Sequence, residues 1–202
     1  MSRQIDPEQH KIMKLEPEKR DRIINAALTV FRHGYEHTST DDIVREAGIS
    51  KGLLYHYFGT KEGLYQFLLS YSLDLITKEY THLLNLEQRD ILELLRQSLL
   101  LKMDLSYKYP ALFEFMSAAY SDGSLDGFQS GLTGRVLARA DLSLFREGID
   151  AKKAVNIIHW SLLGYSNSHL SKGKSIADYQ ERYEIYLREI DEYFQLFRDI
   201  FY

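Results

Sequence analysis

The stretch from Thr38 to Lys61, TSTDDIVREAGISKGLLYHYFGTK, decides the fold of this 202-residue chain. It predicts two short helices that are joined by a tight turn. Thr40 is the expected N-cap of the first helix, because its hydroxyl can accept a bond from a free backbone N–H group. Gly48 tolerates the positive φ that a helix end often needs, and Ser50 is placed to cap the second helix. Together these features indicate a helix-turn-helix.

Each predicted helix has an apolar inner face and a polar outer face. The inner residues fall at helical spacing: Ile43, Val44, Ala47, Leu54 and Phe58. Lys51, Tyr55 and His56 are left to point outward from the second helix. A helix N-terminus favours phosphate, and a recognition helix of this kind enters the major groove of DNA.

The run from Ser39 to Leu64 resembles the tetracycline-repressor (TetR) family of bacterial transcription regulators. It contains the pattern I-V-x-x-A-G-I-S-K-G-x-L-Y-x-Y-F-G-T-K-E-x-L, and with the preceding helix the resemblance extends over about 18–69. The resemblance implies DNA contacts from the second and third helices and from the start of the fourth. Carried over by position, the expected DNA-binding residues are Thr40, Lys51, Gly52, Leu53, Tyr55, His56, Tyr57 and Lys61.

The resemblance also assigns expected roles to these side chains. Thr40, Tyr55 and Tyr57 are expected to bond phosphate, and Lys51 is expected to contact a base edge or phosphate. Asp41 departs from this scheme, because an acid near the DNA backbone repels phosphate unless a cation such as Arg45 pairs with it. A local positive patch is expected from four cations of this region, with acidic groups on other faces: Arg22, Arg45, Lys51 and Lys61, to which Lys19 and Arg20 can add.

The composition fits a soluble protein without disulfides or thiolate metal sites. The chain is 45% hydrophobic and 27% charged, has no cysteine, and carries a net charge of −4. Residues 1–61 hold ten Lys/Arg and nine Asp/Glu, so this part is less acidic than the remainder. The first residues lack the apolar core of a signal peptide, and no apolar run approaches a membrane span. We therefore predict a cytoplasmic protein that does not contact a membrane.

Catalysis and cofactor binding find little support in the sequence. There is no Gly-rich phosphate loop followed by Lys and Ser/Thr, and no cysteine nucleophile is present. His159 and His169 are ten residues apart, about 15 Å along a helix, which is too far for one metal ion. We predict that the protein is not an enzyme and binds no metal or cofactor.

The rest of the chain carries helical periods throughout, which predicts an all-α protein. Residues 17–63 are expected to form a three-helix, homeodomain-like helix-turn-helix domain, and residues 64–202 a helical-bundle domain for ligand binding and dimerisation. Residues 1–16 are interpreted as a flexible arm, and the alternative is a short extra helix that packs on the domain or reaches DNA. A helix is also expected over about 132–146.

Two apolar stripes on the last helix predict a homodimer. Aromatic and aliphatic residues step by three and four along it, as in a coiled-coil seam, and the preceding helix has small residues along one side. The expected interface residues are Ser161, Gly164, Ser168, Tyr183, Tyr186, Leu187, Ile190, Phe194, Phe197 and Phe201. The alternative is that both stripes are buried within one chain.

Aromatic residues of the C-terminal part could line an apolar cavity for a small-molecule effector. The candidates are Tyr107, Phe113, Phe115, Met116, Tyr120, Phe128, His159, Trp160 and Tyr165. Ordinary core packing is the alternative for any one of them.

The family resemblance, together with these patterns, implies a ligand-responsive transcription regulator, most often a repressor in such families, that binds a palindromic double-stranded DNA operator as a homodimer. Two alternatives stay open at this point. One is a helical enzyme or small-molecule carrier that keeps the helix-turn-helix shape without DNA function. The other is a DNA-binding factor that answers to a protein partner.

Overall fold

The computed structural model describes residues 6–83, 87–125, 140–170 and 176–202, with side chains for all of these except 167, 169–170 and 176–182. Over these residues the chain forms eight α-helices and no strand, which confirms the all-α prediction. The helices are α1 Pro17–Phe31, α2 Thr40–Ala47, α3 Lys51–Phe58, α4 Lys61–Leu83, α5 Ile91–Lys108, α6 Pro110–Ser121, α7 Ala151–Leu170 and α8 Ile176–Phe201. Within the described ranges no helix is both long and apolar enough to span a membrane.

The chain divides into two compact units. The first unit comprises Met1–Glu79 and Tyr109–Asp126, and the second comprises Tyr80–Lys108 and Gly127–Tyr202. These limits differ from the predicted boundaries, 17–63 and 64–202. The difference has a physical cause, because α6 buries Leu112, Phe115 and Ala119 in the same core as α1 and the first half of α4.

The core of the first unit is built around aromatic rings from α1, α4 and α6. Phe31 is fully buried and lies 5.1 Å from the Tyr65 ring and 6.3 Å from the Phe115 ring, measured between centroids. Burial, above all, raises the pKa of Tyr65 to about 12. Its hydroxyl therefore stays protonated and donates to Asp122 Oδ2 at 3.0 Å, just past the end of α6. Tyr35 packs on both Phe31 and Tyr65.

Residues 6–16 pack on the first unit, so the predicted flexible arm is wrong for this part of the N-terminus. A short 3₁₀ helix, Lys11–Lys14, buries Ile12 completely in the core. The His10 ring stacks on Phe58 at 5.3 Å and lies 4.5 Å from Phe67. Burial lowers the pKa of His10, with a further contribution from Lys11, and a neutral Nδ1 can accept the bond from Ile12 N–H. The alternative prediction, a short packed helix, describes this segment.

The core of the second unit lies between α5, α7 and α8. Its buried residues include Leu92, Met103, Ile158, Ile190 and Phe194. The C-terminus is fixed at the start of α5, where Asp90 accepts bonds from the Arg198 guanidinium at 2.7 Å and the Tyr202 hydroxyl at 2.9 Å.

Residues 132–139, part of a predicted helix, lie outside the described residues, and the remainder of that helix is absent. Residues 140–146 contain only a single 3₁₀ turn, Leu142–Leu144. This segment instead packs on the end of α8, where Arg146 donates to the carbonyls of Asp199 and Phe201.

Complete burial of Ile12 makes the N-terminal segment part of the folded core. We expect Ile12→Ala to lower the free energy of unfolding by about 2–4 kcal/mol, because the change leaves a cavity among packed side chains. Urea denaturation of the full chain measures this. Ile149→Ala, at an isoleucine that is 37% exposed, is the control and should change it by less than about 1 kcal/mol. Equal effects of the two variants would contradict the packed position of Ile12.

Candidate nucleic-acid interface

A side-chain cap begins each of the helices α2 and α3, and a glycine ends α2. Ser39, and not the predicted Thr40, caps α2: its Oγ accepts from Asp42 N–H at 3.1 Å, and its hydroxyl donates to Asp42 Oδ2 at 2.6 Å. The Ser39 hydroxyl thus satisfies a backbone N–H of the first turn of α2 and also holds the Asp42 carboxylate. Gly48 ends α2 at φ 62°, in the left-handed region where a side chain is unfavourable.

The predicted cap of α3 is confirmed, because Ser50 Oγ accepts from Leu53 N–H at 3.2 Å. The eight residues of α3 turn Leu54 and Phe58 into the core and leave Lys51, Tyr55 and His56 exposed, as predicted. Thr60 then caps α4 by accepting from Gly63 N–H at 2.9 Å. Local hydrogen bonds therefore fix the direction in which α3 presents its outer face.

Two side-chain contacts bridge α2 and α3 on this outer face. The Tyr55 hydroxyl lies 3.4 Å from Thr40 Oγ1, and Lys51 Nζ lies 2.8 Å from Asp41 Oδ1. The hydrogen bond to Asp41 raises the pKa of Lys51. The cation that pairs with Asp41 is thus Lys51, and not Arg45, the example considered from the sequence.

Arg45 pairs with Asp42 instead. Hydrogen bonds from Ser39 and then from Arg45 lower the pKa of Asp42, which keeps this carboxylate charged. Two of the four cations of the predicted positive patch are therefore matched by carboxylates in the unbound protein.

The remaining predicted DNA-binding residues border this face. Gly52 is exposed, and a Cβ built on it would meet no atom of the protein within 4 Å. Leu53 and Tyr57 are half-buried, and the Tyr57 ring meets the His56 ring edge-on at 5.0 Å. Lys61 Nζ stands 4.1 Å above the centroid of the Tyr35 ring.

Sequence reasoning missed one contact at the end of α3. The Lys11 ammonium donates to the His56 carbonyl and lies 6.0 Å from the centre of the Tyr57 ring. A cation at this position complements the negative end of the helix dipole. The sequence shows that Lys11 is basic, but it does not show that Lys11 contacts α3. That contact depends on burial of the neighbouring Ile12, which holds the 3₁₀ helix against the core.

The predicted effector-binding residues are divided between the two units. Phe113, Phe115, Met116 and Tyr120 belong to the first unit, and Phe115 is wholly buried against Phe31 and Tyr65. For Phe115 the prediction of a ligand contact is wrong and the core-packing alternative holds. In the second unit Tyr107 and Tyr165 pack on the core, His159 is half-buried, and Trp160 is 66% exposed. Phe128 lies outside the described residues.

A lysine in the second unit was not among the predicted site residues. Lys102 interrupts an apolar run of α5, between Leu101 and Met103, and burial lowers its pKa. Among the described residues no carboxylate forms an ion pair with it. The pKa of His159 on α7 is lowered as well, first by burial and then by the charge of Lys102. The position of this lysine between leucine and methionine was the feature of the sequence that could have indicated a buried charge.

The predicted dimer interface requires a correction on α8. Tyr186, Ile190, Phe194 and Phe197 are buried in the core of their own unit, so these members of the seam are not free to contact a partner. Tyr183, Leu187 and Phe201 are half-buried, whereas Ser161, Gly164 and Ser168 of α7 are exposed. The seam packs on α5 and α7 of the same unit, so the prediction of a contact with a partner is wrong for these four residues.

A different apolar surface of the second unit is exposed, and we call it the α7/α8 face. Its members are large apolar residues that are 46–66% exposed: Ile157, Trp160, Ile185, Tyr193, Leu196 and Ile200. The two helices are neighbours, because the rings of Tyr165 and Tyr193 lie 5.7 Å apart and the Tyr165 hydroxyl donates to Glu189 at 3.0 Å.

Comparison with known proteins places the helix-turn-helix in a family. Residues 23–67 match the model of bacterial regulatory proteins of the tetR family. The chain is 41% identical over 73 residues to the uncharacterized HTH-type transcriptional regulator YuxN of Bacillus subtilis. The matched stretch covers 36% of this chain and 24% of YuxN. It is 40% identical over 48 residues to IcaR, the HTH-type negative transcriptional regulator of the biofilm operon icaADBC of Staphylococcus aureus. This match covers 23% of this chain and 26% of IcaR. The matches thus span about a quarter of the length of these relatives.

The similarity of fold covers much more of the chain. A TetR family transcriptional regulator from Chloroflexus aurantiacus superposes with a TM-score of 0.67 at 20% identity, over 94% of this chain and 96% of that one. At this identity the likeness concerns the fold alone. Residues 23–67 are therefore similar to the tetR family of bacterial regulatory proteins, and the chain has the fold of a solved TetR-family regulator.

Proposed function

We propose that the protein is a transcription regulator that binds duplex DNA through the exposed face of α3. The observation that carries this proposal is the outward position of Lys51, Tyr55 and His56 on a short helix fixed at its N-terminus by Ser50. A helix of this kind fits the major groove, where base edges present a distinct pattern of donors and acceptors. The family of residues 23–67 supports the same conclusion.

The flanking residues have roles that follow from their position. Thr40 and Tyr55, which already contact each other, present hydroxyls to a phosphate beside the N-terminus of α2. The open space around Gly52 permits close approach of the DNA backbone. Tyr57 and Lys61 border the face and contact the next phosphates, once Lys61 leaves the Tyr35 ring.

We propose further that the protein acts as a homodimer, with the α7/α8 face as the interface. Monomers rarely expose contiguous apolar patches of large residues without a partner, and small residues beside them, such as Gly164, allow close helix approach. Two copies would place two α3 helices on one palindromic site, with half-sites one helical turn apart. The relative IcaR is a negative transcriptional regulator, which favours a repressor over an activator for this protein.

The regulatory step we propose is release from DNA by a small acidic effector in the second unit. Lys102 supports this charge preference, because a partly buried ammonium without a carboxylate among the described residues gains from an anionic ligand. The effector must bind the DNA-incompetent form more tightly, by about 1.4 kcal/mol for each tenfold loss of operator affinity.

Lys51→Ala tests the DNA-binding face. We expect the affinity for a duplex selected from a random library to fall about tenfold. Fluorescence anisotropy measures this affinity. Lys153→Ala, which removes an 83% exposed lysine of α7, is the matched control, and an unchanged Lys51→Ala affinity would contradict the docking face.

Trp160→Asp tests the interface between copies. We expect the dimer dissociation constant to rise about 30-fold or more, because the substitution places a carboxylate in each half of an apolar contact. Sedimentation equilibrium of the full chain measures it. Leu142→Asp, at another exposed apolar residue of the second unit, should leave the constant unchanged. A wild-type chain that is monomeric at micromolar concentration contradicts the proposal.

Lys102→Met tests whether the buried charge of Lys102 destabilises the folded protein. The folded-state pKa of Lys102 is below that of the unfolded chain, so the folded protein binds fewer protons at alkaline pH. The variant should be more stable than wild type at pH 7 by on the order of 1 kcal/mol, and this difference should shrink as the pH rises toward the unfolded pKa. Thermal denaturation at several pH values measures it.

The same pair of proteins tests the acidic effector. Octanoate and benzoate should raise the melting temperature of wild type more than their neutral amides do, and Lys102→Met should lose that difference. Equal stabilisation by acids and amides would contradict the charge preference.

A further inference from the structure

Asp41 is a carboxylate on the DNA-binding face that the proposed contacts to phosphate do not use. Both of its oxygens lie near Lys51 Nζ, Oδ1 at 2.8 Å and Oδ2 at 3.0 Å. Asp41 lies in the first turn of α2, but the side chain that caps this helix is Ser39. Asp41 is therefore available to act on Lys51.

The pair is held in place by the backbone on both sides. Ser39 caps the helix that carries Asp41, and Ser50 caps the helix that carries Lys51. The contact between Thr40 and Tyr55 joins the same two helices one residue from Asp41. The backbone positions of Lys51 and Asp41 are thus set relative to each other, which keeps the two side chains within reach of an ion pair.

This arrangement works against contact with phosphate. A phosphate that takes the Lys51 ammonium must displace the carboxylate, and it then faces an uncompensated negative charge at Asp41. The exposed ion pair itself is weak, at roughly 1 kcal/mol or less, so a partner that satisfies both groups can still open it. Such a partner must offer acceptors to Lys51 and a donor to Asp41 side by side.

A G·C base pair offers this combination in the major groove. Guanine presents two neighbouring acceptors, N7 and O6, and cytosine presents the N4 amino donor beside them. In an A·T pair the single amino donor lies between two acceptors, which repel a carboxylate. The Lys51 ammonium has three N–H donors, so it can bond guanine and still keep one bond to Asp41.

We propose that Asp41 is a specificity-determining residue of the interface, which acts with Lys51 to select a G·C base pair and to suppress binding to phosphate alone. The proposal rests on the proposed DNA-binding function. Lys51 bonds the guanine acceptors, and Asp41 accepts from the cytosine amino group and from Lys51. One such pair is read in each half of the operator.

Asp41→Asn tests this role with the full-length protein, since it removes the charge and keeps the size of the side chain. Binding sites are selected from a random duplex library with each protein, and affinities are measured for the selected site, for single base-pair changes within it and for an alternating A·T duplex. We expect wild type to require one G·C pair per half-site and Asp41→Asn to lose about tenfold of that discrimination. Its affinity for the A·T duplex should rise about fivefold, because the ammonium becomes free for phosphate.

Asp74→Asn is the matched control. It removes the same charge from an ion pair of the same length, 2.8 Å, between Asp74 and Lys78. Asp74 lies about 20 Å along α4 from Lys61, so both the site preference and the A·T affinity should stay at wild-type values. A change in stability alone would not alter base-pair preference, which separates a recognition role from a structural one.

The outcomes separate the two proposals. If wild type selects a site and Asp41→Asn selects the same site with the same preference, the role of Asp41 is overturned and the DNA-binding function stands. If Asp74→Asn raises the A·T affinity as much as Asp41→Asn does, net charge explains the effect and the role is also overturned. If wild type enriches no duplex from the library, the proposed function itself fails.

Discussion

The structure depends on a single constraint, the tight turn that holds α2 and α3 at a fixed angle. Gly48 supplies the left-handed backbone at the end of α2, and Ser50 caps α3 two residues later. With both ends fixed, burial of Leu54 and Phe58 leaves only one orientation for the outer face of α3. The exposure of Lys51, Tyr55 and His56, and with it the proposed function, follows from this turn.

The electrostatics of the face are more balanced than expected for a protein that binds a polyanion. The chain has a net charge of −4, and Lys51 and Arg45 each pair with an aspartate of α2. A face of this kind gains less from contact with phosphate in general and depends more on the fit to base edges. Low non-specific binding is useful to a regulator, because a genome offers a very large number of competing sites.

The elements with local signals could be predicted from the sequence. The caps, the glycine and the spacing of Ile43, Leu54 and Phe58 lie within a few residues of one another, so propensity and periodicity are sufficient. The N-cap of α2 was misplaced by one residue, since Ser39 and Thr40 are both good caps and only the backbone decides between them.

The features that depend on distant neighbours could not be predicted in the same way. Ile12 is buried because Phe58, Phe67 and the rest of the core form a surface for it. The apolar residues within 1–16 follow no helical or strand period that would predict this burial. The stripe of Ile190, Phe194 and Phe197 was recognised as buried, but periodicity does not tell whether the neighbour is the same chain or a partner. Phe115 illustrates the same limit, because an aromatic residue suits a core and a ligand cavity equally well.

The central claim is that the N-terminal half of α3 enters the major groove. A structure of the full-length protein bound to a duplex it has selected tests this most directly. The account predicts Lys51 against base edges, Tyr55 against phosphate, and two copies of α3 about 34 Å apart on one face of the DNA. DNA bound elsewhere on the molecule, or α3 turned away from the groove, would contradict it.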